Sequence, residues 1–193
     1  MTSKLGVHGR ILDAAAKLFY DDGIAATCVD KVSVSAGVSK PTIYAHFHSK
    51  DELVAAVLEH RHDQRVESLE GWLSRSGGDP RERLLSIFDW LADWFAAGGN
   101  RGCAFVNACA ELGESEHQAL EIARGHKHWM RDRLAELAAE AGASDPVLVG
   151  SNFMVLIDGA NARMVVDGNP AVAIEARHMA EVLLDNVLGT GKS

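Results

Sequence analysis

Residues Thr27–Leu53 read TCVDKVSVSAGVSKPTIYAHFHSKDEL, and the fold is decided within them. Val29, Val32 and Ala36 recur at helical spacing and make one short amphipathic helix. Gly37 breaks it, where a tight turn needs a residue tolerant of positive φ. Val38, Ile43 and Phe47 then anchor a second short helix. Ser39 is placed to cap that helix, and Pro41 falls in its first turn, where the missing N–H is not needed. Proline also pushes Lys40 away from helical φ/ψ, which agrees with a helix beginning there. Two short helices joined by a glycine turn are a helix-turn-helix. The second helix leaves Ser39, Lys40, Thr42, Tyr44 and His46 outside, a set of donors and acceptors with one formal cation. Such a surface suits a DNA major groove, where base edges take donors and acceptors and phosphates take hydroxyls and cations.

Upstream, RILDAAAKLF (Arg10–Phe19) reads as a supporting helix with Ile11, Ala15, Leu18 and Phe19 on one face, and Asp21-Asp22-Gly23 ends it. Together with AGVSKPTIYAHFHSKDEL (Ala36–Leu53), this segment resembles the DNA-binding domain of the TetR family of bacterial transcriptional regulators, over roughly Arg10 to Val57. The resemblance implies that Lys40, Pro41, Thr42 and Tyr44 face the groove and its phosphates, while His46 and Lys50 hold the DNA backbone. Pro41 departs from the glycine common at that place in the family. Thr27 is a plausible helix cap whose hydroxyl also reaches toward a phosphate, and it completes the expected DNA-binding set with Ser39. Residues 1–9 show no periodicity and read as a tail.

The net charge of −8 divides unevenly. Residues 1–50 hold six Lys/Arg against four Asp, a balance of +2, and the remaining 143 hold 13 basic against 23 acidic residues, a balance of −10. Affinity for DNA is therefore expected from a few placed contacts and from dimerisation more than from bulk charge. The longest strongly apolar run, Phe153–Ile157, is far too short to span a bilayer, and the first residues lack the apolar segment of a signal peptide. A cytoplasmic protein without membrane association is expected, and in that compartment three cysteines are expected as free thiols.

The rest of the chain reads as helices, giving an all-α protein of about nine. Ser49 with Asp51 and Glu52 opens a long helix expected over Lys50–Leu73. Asp79-Pro80, Asp145-Pro146 and Asn169-Pro170 each pair a capping residue with proline at the first helical position, predicting helix starts near 80, 146 and 170. The expected division is a helix-turn-helix domain over 1–50 and a helical effector-binding and dimerisation domain over 51–193. Within Pro80–Ala97, Leu84, Phe88, Leu91 and Phe95 line one face while Trp90 and Trp94 make a second stripe, which serves either core packing or an apolar pocket. Asn107 and Glu111 sit one turn apart on an apolar helix and are placed to meet a ligand or water. His126 and Met130, expected on a helix over Ser115–Ala141, and Asn152 and Asp158, which serve either cross-interface bonds or the pocket floor, complete the ligand-binding candidates, with Phe88, Trp90 and Trp94.

The terminal helices are apolar on more than one face and carry the small residues Gly150, Gly159, Ala160 and Ala162, as a homodimer interface requires. No histidine pair has metal-binding helical spacing, and no nucleophile–base pair or phosphate loop is visible. Neither a metal, a cofactor nor an enzymatic activity is expected. The expected function is a dimeric regulator, a repressor, released from a palindromic double-stranded DNA operator by a small apolar or aromatic effector. The alternative is a thiol-based redox or electrophile sensor using Cys103 or Cys109, with buried free cysteine as the default.

Overall fold

The computed structural model describes residues 6–113 and 118–189, and among these there are nine helices and no strand. They are α1 (Val7–Asp21), α2 (Val29–Ala36), α3 (Lys40–His46), α4 (Lys50–Leu73), α5 (Pro80–Ala96), α6 (Ala104–Leu112), α7 (Gln118–Glu140), α8 (Pro146–Asp167) and α9 (Val172–Gly189). The all-helical expectation and the long helix from Lys50 to Leu73 both hold. No described helix is long and apolar enough to cross a membrane.

Capping residues set the starts. Asp79 accepts the Arg81 N–H (3.3 Å) and Asp145 the Leu148 N–H (3.0 Å), each with proline at the head of its helix. Asn169 accepts the Ala171 N–H at 3.0 Å, yet α9 proper begins only at Val172. Three successive N–H groups, from Val172 to Ile174, bond carbonyls three residues back, so a tight turn precedes the α-helix. At the N-terminus the sequence reading is corrected: Val7–Gly9 are helical, and the His8 ring lies 5.1 Å from that of Phe47. The expected start of the seventh helix, Ser115, lies outside the described residues.

The chain forms two compact units. One holds residues up to Arg65 together with Ala104–His126, and the other holds Val66–Cys103 and Lys127 onward. In this division α6 and the beginning of α7 group with the helix-turn-helix. In the first unit α1 packs on α2 and α2 on α3, around Ile11, Val32, Ile43 and Leu53, each at most 1% exposed. Leu18, read as part of that inner face, is only half-buried; Leu12 and Ala16 turn inward instead.

In the second unit α9 lies against both α5 and α8. Leu69, Leu84, Phe88, Leu134, Phe153 and Leu184 are sealed in one core there. One apolar stripe of α5, Leu84, Phe88, Leu91 and Phe95, is buried in this core with Trp90, while Trp94 is half-buried and Glu82 and Asp93 keep one side polar. Gly150 serves this core as well: a Cβ on it would come within 2.8 Å of the Ala135 amide nitrogen and 2.9 Å of the Arg131 carbonyl oxygen. It brings α8 close to α7 within one chain, and so does not belong to a subunit interface.

Candidate nucleic-acid interface

The helix-turn-helix is built by local chemistry. Gly37 ends α2 with φ +64°, in the left-handed region that side chains with a Cβ avoid, and its N–H and that of Val38 return to α2 carbonyls. Ser39 then caps α3 by accepting the Thr42 N–H at 3.2 Å, and its hydroxyl lies 2.8 Å from that of Thr42. Ile43 and Phe47 are 1% and 3% exposed, and they hold the seven-residue helix to the rest of the unit.

That anchoring turns Lys40, Pro41, Tyr44 and His46 outward on one short helix, with Ser39 exposed at its head and Thr42 half-buried. Lys40 pairs with Asp30 at 3.0 Å, and the Asp30 carboxylate holds the ammonium above its ordinary pKa. His46 lies beside the His8 ring at 5.8 Å. Lys50 points back, its ammonium donating to the Ile24 carbonyl at 2.5 Å. Glu52 closes the following turn by accepting the His48 N–H at 2.7 Å while Ser49 accepts the Glu52 N–H at 3.0 Å. The two His48 hydrogen bonds hold the Glu52 carboxyl below its ordinary pKa.

Thr27 is a correction. Its side chain is fully buried and its hydroxyl donates to the Gly23 carbonyl at 2.8 Å, so it stitches the end of α1 to the turn and faces no solvent. The cap position of α2 falls to Cys28, which makes no side-chain cap bond. A short hydroxyl so close to Gly23 satisfies its backbone inward before it can reach a phosphate.

The ligand candidates separate. Phe88, Trp90 and Met130 are core residues, at most 4% exposed, and the Trp90 N–H donates to the Ser68 hydroxyl at 2.9 Å. Sequence left packing and pocket open for the tryptophan stripe; here Trp90 is packed into the core, and on the other face the rings of Phe88 and Phe153 lie 5.5 Å apart. Trp94 is half-buried and covers Gly99 so closely that a Cβ there would fall 2.4 Å from the indole nitrogen. Asn152 is half-buried, and Asp158 is ion-paired with Lys127.

Asn107, Glu111 and His126 belong to the first unit. Asn107 and Glu111 border a cleft with Tyr20, Ile24 and Arg61, of about 20 Å³, room for about one water molecule. Glu111 is exposed, and its carboxylate accepts the Ala25 N–H at 2.9 Å. Its spacing with Asn107 gave no sign of this partner 86 residues away. His126 is 6% exposed and stacks on Phe105 at 3.7 Å, with its Nδ1 3.0 Å from that of His62. Glu59, His62, Asp63, Ile122, Gly125 and His126 line an open groove of about 340 Å³ between α4 and α7, a size that admits a small molecule.

All three cysteines are free. Cys28 and Cys109 are exposed and Cys103 half-buried, so the expectation of buried thiols fails. No group of three or more potential metal ligands occurs among the described residues.

In the second unit, exposed apolar residues recur along α8 and α9. On α8, Val147, Leu148, Val155, Val165 and Val166 are each more than half exposed, and on α9 Ile174 and Met179 are as well. A concentration of this kind marks an association surface.

Residues 11–57 match the family described as bacterial regulatory proteins, tetR family. Over 87 residues, 45% of this chain, the sequence is 40% identical to the HTH-type transcriptional activator FasR of Mycolicibacterium smegmatis. The chain matches 39% of the length of that relative. Likeness over the whole fold comes from SCO4454, a TetR-family transcriptional regulator of Streptomyces coelicolor, with a TM-score of 0.86 and 29% identity across 94% of this chain and 95% of that one. The sav143 protein of Streptomyces avermitilis, a candidate tetR-type regulator, follows with a TM-score of 0.81 and 32% identity across 95% and 98%.

Proposed function

The chain belongs to the TetR family of bacterial regulatory proteins, and from that premise we propose that it is a ligand-responsive transcriptional regulator of the bacterial cytoplasm. Two copies dimerise through α8 and α9 and present their α3 helices to successive major grooves of a palindromic operator, about 34–36 Å apart. The observation that carries this reading is the outward face of α3, where Lys40, Pro41, Tyr44 and His46 stand on a helix capped by Ser39 and anchored from behind by Ile43. A helix of seven residues is too short to be stable alone. Its stable exposure of polar groups is what groove recognition asks for. The outward face of α3 is the DNA-reading surface of the domain over 1–50, and the effector acts through the domain over 51–193.

Binding of a small molecule then releases the operator. Release requires the ligand to bind the DNA-incompetent state more tightly, since equal affinity shifts nothing. An apolar or aromatic effector is favoured by the half-buried Trp72, Trp94 and Trp129, which border the core of the second unit. The regulator acts as a repressor where its operator overlaps a promoter; FasR, which shares the head, is named an activator.

Selection of bound sequences from a random DNA pool tests the reading directly. A palindrome with half-sites about one helical turn apart is the expected result, and absence of enrichment at low salt overturns it. The thiol-sensing alternative rests on the exposure of Cys109. It stands only if Cys109→Ser abolishes the response to oxidant while operator binding persists.

A further inference from the structure

The start of α1, read from sequence as a tail, meets the end of α3. His8 is exposed on the first turn of α1. Its ring lies 5.1 Å from that of Phe47, with planes 32° apart, and stands edge-on to that of His46 at 5.8 Å. Phe47 is 3% exposed, so the imidazole rests on a fixed floor. His46 is the last residue of α3 and is itself exposed. Two imidazoles therefore stand side by side, open to solvent, at the margin of the outward face of α3.

No anion competes for this corner. In the described part of the head, Lys17, Lys31 and Lys40 are each paired with an aspartate, and Lys50 donates to the Ile24 carbonyl. His48 is held by Glu52 at 2.9 Å. His8, His46 and Arg10 have no carboxylate partner among the described residues. Arg10, two positions after His8, stands about 200° around the helix from it and faces away from the corner. A phosphate that reaches His8 and His46 displaces no carboxylate, whereas one that reaches Lys40 must displace Asp30.

We propose that His8 and His46 together hold a DNA phosphate at the edge of the groove that α3 enters, which makes His8 a DNA-contacting residue contributed by α1. This rests on the regulator reading and adds to it a contact that fixes where the reading helix sits. Each protonated imidazole donates a charge-assisted hydrogen bond to a phosphate oxygen. Two cations so close repel each other in the free head, and the bound anion relieves that repulsion. The groups that face His8 are His46 on α3 and Phe47 at its end; at the head of α4, His48 and Glu52 bind each other and Lys50 is turned to the backbone. Protons are taken up on binding, so affinity falls as pH rises through the histidine range, from about 6 to about 8. A phosphate contact carries no sequence information, so every duplex benefits alike.

The test measures binding of the full chain by fluorescence anisotropy at about pH 6 and about pH 8, on the duplex selected from a random pool and on a scrambled one. At the lower pH, His8→Ala weakens both duplexes about threefold to tenfold per half-site and lowers the salt slope by about one per head. At the higher pH its effect shrinks to less than about twofold, because the wild-type imidazole is then neutral. His8→Phe keeps a ring on Phe47 without a donor and behaves as His8→Ala does. His8→Lys supplies a cation without the ring and keeps tight binding at the higher pH. Wild-type affinity of His8→Ala at the lower pH overturns the proposal, and so does rescue by His8→Phe, which makes the ring a packing element. A loss confined to the selected duplex also overturns it, since that is the mark of a base contact. A wild type that selects no sequence fails the regulator reading, and the scrambled duplex still decides the contact; one that binds neither duplex fails both.

Discussion

Replacing Val155 by Asp strikes the proposed dimer face without touching the monomer's core. Val155 is 68% exposed in the single chain, so its side chain contributes little to folding, whereas Leu183 packs partly against the core and would confuse the result. Burying a valine fully is worth about 1.5 kcal/mol at the lower end of the usual range, and two-thirds of that, about 1 kcal/mol, remains to be gained on association. A two-fold interface contains the position twice, so the substitution removes about 2 kcal/mol in apolar burial alone. Two carboxylates brought into an apolar contact add desolvation and mutual repulsion of several kcal/mol more. Since 1.4 kcal/mol is tenfold in an equilibrium constant, the dimer dissociation constant rises by at least about 100-fold. Sedimentation velocity across a concentration series reads this directly, with circular dichroism and thermal melting to establish that the monomer is still folded. Operator affinity falls in parallel, because one α3 helix reads half a site. A Val155→Asp protein that dimerises within about threefold of the wild type refutes the assignment of α8 to the interface.

On the reading helix, Tyr44→Ala and Lys40→Ala each weaken operator binding by about 1–3 kcal/mol per half-site, measured by fluorescence anisotropy at fixed salt; unchanged affinity in both removes this face from the groove. Ser39→Ala withdraws the acceptor that caps α3 and costs about 1 kcal/mol of stability in urea denaturation, with a loss of operator affinity that exceeds the loss of stability if α3 frays locally. Gly150→Ala overpacks α8 against the α7 backbone and costs about 1–3 kcal/mol in the same denaturation assay; because Gly150 sits inside one chain, the dimer constant of the folded variant stays where it was.

The parts of the fold legible in sequence are those fixed by neighbours a few residues away. Ser39, Asp79 and Asp145 declare their helices because a cap bonds an amide two or three positions on, and Gly37 declares the turn because only its own φ is at stake. Asn169 shows the limit of that logic, since the cap forms but three tight hydrogen bonds intervene before α9. Thr27 was misread for a different reason, and Glu111, though exposed, has a partner that its spacing did not announce. Each has the composition of a functional residue, a hydroxyl beside a helix start and a carboxylate on an apolar helix, and each bonds a backbone partner, Thr27 fully buried and Glu111 still exposed. For Thr27 the partner is four residues back, and for Glu111 it is 86 residues away. In the tryptophan stripe of α5, Trp90 is buried in the core while Trp94 is half-buried, because helical periodicity reports that a face is apolar and says nothing of what covers it.

The charge of the head acquires a different meaning once its pairs are known. The excess of +2 in residues 1–50 suggested a weakly attractive surface, yet Lys17 is paired with Asp21, Lys31 with Asp22 and Lys40 with Asp30, while Lys50 is turned to a backbone carbonyl. These pairs are exposed, hence individually weak, and a phosphate arriving at any of them competes with a carboxylate already in place. The electrostatic gain from a phosphate at Lys17, Lys31 or Lys40 is therefore a difference between two anions and not the full attraction of a free cation. Non-specific affinity, which lives on such contacts, is held low by the head's own aspartates and by the acidic excess of the remaining chain. Base-edge contacts from α3 escape that competition, because a groove edge asks for hydrogen bonds and not for charge. With so little contributed by bulk attraction, the proposed regulator needs a second copy for stable operator binding, which the exposed apolar residues of α8 and α9 are proposed to recruit.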